Sequence, residues 1–130
     1  MIQGSESTQV FVYGTLLQGE GNHHLLLRDQ FLGAALTTPS FSLHDLGSYP
    51  GMVGGGTQSI EGEVYVVGPH TLARLDMLEG HPDFYHRIGI ALEDGSTVET
   101  YLLPPDSVAG CPVIVSGSWR THRRERGRRA

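Results

Sequence analysis

The sequence predicts an α+β domain built on a curled sheet or a small barrel. Three observations lead there. The chain has 130 residues, which suits one compact domain. It contains many short strand-like runs but only two helical ones. Its 18 glycines and 7 prolines punctuate those runs with turns and bends. Apolar residues make up 38% of the chain, enough for a real core.

Residues 1–8 are polar and read as a loose terminus. QVFVYGT (9–15) has the apolar and aromatic content of a strand and breaks at Gly14. NHHLLLRDQ (22–30) reads as a short helix with Asn22 as N-cap. FLGAALTT (31–38) and FSLHDL (41–46) read as strands, the first bent at its glycine. GSYPGMVGGG (47–56) reads as a long loop. SIEGEVYVV (59–67) alternates, with Ile60, Val64 and Val66 on one face and Glu61, Glu63, Tyr65 and Val67 on the other. Gly68 and Pro69 then open a helix that Gly80 and Pro82 stop. FYHRIGIALEDG (84–95) and STVETYLLP (96–104) read as a hairpin turning at Glu93-Asp94-Gly95. PVIVSGSW (112–119) reads as a last short strand.

Charge divides the chain unevenly. There is no lysine, and six of the nine arginines lie in RTHRRERGRRA (120–130). That tail carries +5 and the body −10. An acidic body does not attract nucleic acid, and no basic, aromatic stripe is present to bind it. The tail could fold back on the acidic surface, but it lacks an apolar stripe and reads as a flexible terminus. No apolar run approaches membrane-spanning length, and the first residues do not resemble a signal peptide. The expectation is a cytoplasmic protein without a membrane role. Cys111 is the only cysteine, so no internal disulfide forms. The sequence leaves the oligomeric state open.

The chemistry-bearing signals are few. There is no phosphate-binding loop, no nucleophile elbow and no metal-ligand spacing among the seven histidines. VYGTL (12–16) ends a strand in a sharp turn whose successive N–H groups can cradle an anion, with the Thr15 hydroxyl beside them. RLDMLEGHPDFYHR (74–87) poses a sharper question. At 100° per residue Leu72, Leu75 and Leu78 form one apolar arc, and Glu79 projects inside it. A carboxyl there is desolvated and lies at the helix C-terminus, and both effects raise its pKa toward proton-transfer range. The alternative is a structural carboxylate satisfied by Arg87 or by donors in the following turn.

Taken in order, YGTL, SYPG, EGEVY, LDMLEG, YHR and the closing SGSW resemble the γ-glutamylcyclotransferase-like family, nearest its small γ-glutamylamine cyclotransferase-like members. The likeness runs from Tyr13 to Trp119. Ser118 stands where the family commonly has Asp.

The resemblance implies a small mixed β-barrel flanked by short helices over residues 9–119, with a cavity at one end. It implies Glu79 as the catalytic carboxylate. It places Tyr13, Gly14, Thr15 and Leu16 around the substrate, with Tyr85 beside them and Tyr49 at the rim. It implies a metal-independent transferase or lyase without cofactor, acting on a small γ-glutamyl substrate and yielding 5-oxoproline. The alternatives are a non-catalytic binding module of the same fold and an interaction protein acting through its arginine-rich tail.

Overall fold

The computed structural model describes residues 6–129. Its main sheet has five strands in the order β2-β5-β1-β7-β6. β1 (Thr8–Val12) is the central strand, antiparallel to β5 (Glu61–Val67) and parallel to β7 (Thr97–Leu102). β2 (Gln30–Leu36) and β6 (His86–Ala91) are the edges. A separate ribbon pairs β3 (Phe41–Asp45) with β4 (Pro50–Gly54). Two helices complete the domain, α1 (Pro69–Glu79) and α2 (Trp119–Arg129). No described helix is long and apolar enough to cross a membrane.

The sheet curls but does not close into the expected barrel. A register shift between Phe31 and Gly33 bends β2. Beyond their ends, β2 and β6 meet only through the Thr37↔Leu92 bridge and the adjoining bonds Thr38 N–H to Ala91 O and Glu93 N–H to Leu36 O. Five strands with one such bend bring the edges together at one corner and leave them unpaired along the rest.

Burial explains the core elements. Val10 and Phe11 on β1, Val67 on β5 and Leu75 on α1 are fully buried. β5 is covered on both faces, since Glu63, Val64 and Tyr65 are all buried. Its alternation therefore does not separate core from solvent. The β6–β7 hairpin turns where expected, with Asp94 Oδ1 accepting the Ser96 N–H.

Four local expectations change. Residues 50–54 are strand rather than loop, because Met52 and Val53 are buried and Met52 O accepts the Leu103 N–H. The expected helix at 22–30 shrinks to a 3₁₀ turn, His23–Leu26, in which only Leu26 is buried. Asn22 does not cap it, because its side chain donates to Thr15 Oγ1. Residues 112–119 make one bridge, His44↔Val113, instead of a strand. The Gln58 side chain takes the carbonyls of Ile114 and Val115 that a ladder would use.

The fourth change is the tail. Residues expected to fray from 120 onward form α2, whereas residues 1–5 of the expected loose N-terminus lie outside the described residues. Trp119 anchors the helix at 2% exposure, and Ser118 Oγ accepts the Thr121 N–H in N-cap fashion. Asp is an equally good N-cap, which accounts for serine where the resembling family has aspartate. The electrostatic fold-back is realised along α2. Arg120 reaches Glu63 Oε2 at 3.3 Å, Arg123 pairs with Glu20, and Asp45 takes both His122 and Arg126.

Glu63 is 6% exposed and accepts from Arg120, the Gln18 N–H and the Tyr65 hydroxyl. Removing one charged donor from a buried carboxylate costs more than losing an exposed pair. Arg120→Ala is therefore expected to lower stability by about 1–2 kcal/mol in urea denaturation. Arg124→Ala, whose one side-chain hydrogen bond among the described residues goes to Thr121 Oγ1, is the control and should stay within about 0.5 kcal/mol of the parent.

Candidate active site

Glu79 is the last residue of α1, and Gly80 ends the helix in the left-handed conformation at φ 69°. Glycine reaches this conformation without the Cβ penalty. The chain then folds back, with Phe84 N–H donating to Gly80 O at 2.8 Å and Tyr85 N–H to Glu79 O at 3.1 Å. One tight turn thus places the Glu79 carboxyl and the Tyr85 ring together.

The apolar arc of α1 does not face a closed core. Leu75 is fully buried, but Leu78 is 42% exposed. Leu78 and Glu79 instead border a cavity of about 300 Å³. The loop that follows β1, from Tyr13 to Leu16, lines it too, together with Tyr49, Pro50 and Tyr85. Among the described residues, no hydrogen bond of this loop uses the N–H of Gly14, Thr15 or Leu16. Three successive donors on a cavity-lining segment thus have no partner among the described residues.

Glu79 has neither a cation nor a hydrogen-bond donor as partner among the described residues. Burial raises its carboxyl from the ordinary 4.5 to about 7. The alternative of an Arg87 pair does not hold. Arg87 grips Asp76 through two bonds, Nε to Oδ1 at 2.8 Å and Nη2 to Oδ2 at 3.2 Å, and also pairs with Glu99. Hydrogen bonding to Asp76 keeps the guanidinium firmly protonated. Burial alone would raise the Asp76 carboxyl, but the bonds from Arg87 and Tyr101 outweigh it and hold the pKa below the usual range.

Tyrosines complete the walls. The Tyr13 hydroxyl donates to Tyr101 O at 2.7 Å and accepts the Met52 N–H at 3.1 Å. The Tyr85 hydroxyl donates to Pro50 O at 2.7 Å. Burial pushes both hydroxyls well above their ordinary pKa, and the nearby Glu79 charge adds to the effect. Neither is a proton source near neutral pH, which leaves Glu79 as the one group on the cavity wall poised to exchange a proton there.

Comparison with known proteins gives the family. The family model described as gamma-glutamyl cyclotransferase, AIG2-like, matches residues 10–121. The chain belongs to this family. A Vibrio cholerae relative is 56% identical over 78 residues, spanning 60% of this chain and 67% of its own. The gamma-glutamylcyclotransferase family protein YtfP of Escherichia coli K12 is 39% identical over 113 residues, covering 85% and 95% of the two chains. Among solved structures, that of a uropathogenic Escherichia coli-specific protein matches with a TM-score of 0.79 at 25% identity, over 90% of this chain and 95% of that one.

In this γ-glutamyl cyclotransferase family member, all seven residues singled out from the sequence line one cavity: Tyr13, Gly14, Thr15, Leu16, Tyr49, Glu79 and Tyr85. Gly14 also has a packing role. A Cβ there would lie 2.7 Å from Pro50 Cγ, so the glycine lets β4 pack against the loop. Sequence reading missed Asn22, Leu78, Phe84 and Tyr101, which also line the cavity. Asn22 carried a signal of the wrong kind, that of an N-cap. Phe84 stands directly before Tyr85, but nothing local reveals its exposure.

The raised Glu79 pKa makes stability pH-dependent with a definite sign. Between about pH 4.5 and 7 the native protein keeps a proton that the unfolded chain releases. The carboxyl's contribution to stability is therefore full below pH 4.5 and falls as the pH rises toward 7. Glu79→Gln removes that loss. The variant's stability advantage should grow by roughly 2–3 kcal/mol between about pH 4.5 and pH 8, measured by urea denaturation. A gap that stays constant with pH would mean the carboxyl titrates normally.

Proposed function

We propose that the protein is a γ-glutamyl cyclotransferase that releases 5-oxoproline and a free amine from a γ-glutamyl compound. The observation carrying this reading is Glu79: a carboxyl without a partner among the described residues, raised to about 7 by burial, on the wall of a cavity that is also lined by a loop with unused N–H donors. Family membership supplies the reaction class.

The reaction is an internal aminolysis. The α-amine of the γ-glutamyl group attacks its own γ-carbonyl and closes a five-membered ring. Near neutral pH that amine is mostly protonated and cannot attack. Glu79 in its ionised form takes the proton from the α-nitrogen. The tetrahedral intermediate carries its negative charge on the former carbonyl oxygen. Glu79, now protonated, donates to the departing nitrogen as the C–N bond breaks, and the second proton of the ring nitrogen passes to the departing amine, which leaves as an ammonium. The carboxyl ends in its starting state, and one group serves both steps because its pKa lies near the working pH.

The substrate must also be held in the folded, ring-closing pose. Gly14, Thr15 and Leu16 offer N–H groups to its α-carboxylate, with the Thr15 hydroxyl alongside. Thr15 Oγ1 already accepts from Asn22 Nδ2 at 3.0 Å, which leaves its proton free to donate. Tyr13 and Tyr85 pack the apolar carbons and exclude water, which strengthens these electrostatic contacts. Pre-orientation of the amine toward the carbonyl supplies the entropic part of the rate.

A panel of γ-glutamyl amines and γ-glutamyl amino acids, scored by 5-oxoproline release, tests the reading. Glu79→Gln should remain folded and lose at least about a hundredfold in turnover, the scale of a lost general acid–base group. For the parent, kcat/KM should rise with pH through an acid limb centred near 7. Near-normal turnover in Glu79→Gln would remove the carboxyl from the mechanism. Tight binding of γ-glutamyl compounds without any release would favour a binding module.

A further inference from the structure

Two loops that line the cavity are held from behind in the same way. In the first, Gln18 stands two residues beyond Leu16. Its N–H donates to Glu63 Oε1 at 3.0 Å, and its carbonyl accepts from Arg120 Nη2 at 2.7 Å. The same Nη2 reaches Glu63 Oε2 at 3.3 Å. In the second, Gly47 stands two residues before Tyr49. Its N–H donates to Asp45 Oδ1 at 2.7 Å, and its carbonyl accepts from Arg126 Nη1 at 3.1 Å. That Nη1 in turn reaches Asp45 Oδ2 at 3.4 Å. Each time one loop residue is gripped at both backbone polar groups, by a carboxylate and an arginine that are themselves paired. Both arginines belong to α2, which lines no part of the cavity among the described residues.

Each grip acts on a segment already closed by its own bonds. Leu17 N–H donates to Gly14 O at 3.1 Å and Asn22 N–H to Thr15 O at 2.8 Å, so residues 14–22 move as one piece. Leu46 N–H donates to Tyr49 O at 3.0 Å and closes the turn between them. Fixing Gln18 therefore fixes the N–H donors of Gly14, Thr15 and Leu16, and fixing Gly47 fixes Tyr49 and Pro50. Hydrogen bonds from a guanidinium are stronger than neutral ones. Arg126 is also seated over the buried Trp119 ring, 5.7 Å from its centroid. A loop ordered before the ligand arrives spares binding the cost of ordering it.

We infer that Arg120 and Arg126 are positioning residues for the substrate site: through Gln18 and Gly47, α2 sets the placement of the two loops that receive the γ-glutamyl group. The inference rests on the cyclotransferase reading. Neither arginine lines the cavity, so removing either should weaken binding and spare the chemical step. A purely stabilising role has the opposite signature. Partial unfolding lowers the active fraction and with it the apparent kcat, and leaves KM where it was.

Arg120→Ala and Arg126→Ala are made in the full-length chain and assayed on the γ-glutamyl compound turned over fastest in the panel above. Each should raise KM by about tenfold with kcat within about twofold of the parent, and weaken 5-oxoproline binding in calorimetry by a similar factor. Each grip runs through a single nitrogen, so Arg126→Lys, whose ammonium carries three donors, should recover part of the loss. Arg124→Ala, on the same helix but outside both grips, should leave KM unchanged. Arg126 is partly exposed, and its alanine variant keeps the test intact if Arg120→Ala folds poorly. An unchanged KM and 5-oxoproline affinity in the alanine variants, or an equal loss in Arg124→Ala, overturns the positioning role while leaving cyclotransferase activity standing. No 5-oxoproline from any compound of the panel with the parent protein overturns the cyclotransferase reading and this inference with it.

Discussion

The Tyr13 hydroxyl is the joint on which the cavity depends. It stands just past the end of β1, donates to the Tyr101 carbonyl on β7 and accepts the Met52 N–H on β4. All three residues are buried, so each polar group has no water to turn to if the joint is broken. Through it the ribbon β3–β4 is locked to the main sheet. The same Tyr101 extends the chain of contacts, since its hydroxyl donates to Asp76 Oδ1 at 2.6 Å. Asp76 lies one helical turn before Glu79, and Arg87 clamps it from β6. Sheet, ribbon and helix are thereby held in one register around the carboxyl.

That network also explains why Glu79 is left alone. A cation close to a half-buried carboxylate normally captures it and lowers its pKa. Arg87, the partner the sequence offered for it, is consumed by Asp76 and Glu99. Asp76 thus has two effects. It fixes the last turn of α1 in space, and it keeps the positive charge of Arg87 from reaching the residue three positions later. The desolvated Glu79 is then free to sit with its pKa near neutrality. An acid inside an apolar arc is stable here because the arc faces a cavity and not a packed interior.

The site was legible in the sequence to the extent that its signals were local. YGTL is a strand running into a turn, and LDMLEG is a helix end with its terminator. Both can be read from a few adjacent residues. The Asp76–Arg87–Tyr101 network was not legible, because it joins residues 11 and 25 positions apart that only the fold brings together. The same holds for sheet closure, which depends on whether β2 and β6 meet. Composition misled at β4, where glycines hid a buried strand. It misled again at α2, where a run with no apolar stripe is held by distant carboxylates, Glu20, Asp45 and Glu63.

The hold on α2 has one further consequence. Arg120 donates to the carbonyl of Gln18, and Arg123 pairs with Glu20, so the C-terminal arm grips the loop only two to four residues beyond Leu16. Most of this grip is charge at partly exposed positions, which dissolved ions weaken. The distance over which such charges are felt falls from about 10 Å at 0.1 M salt to about 3 Å at 1 M. The far end of the cavity-lining loop is thus fastened by contacts whose strength the surrounding electrolyte sets.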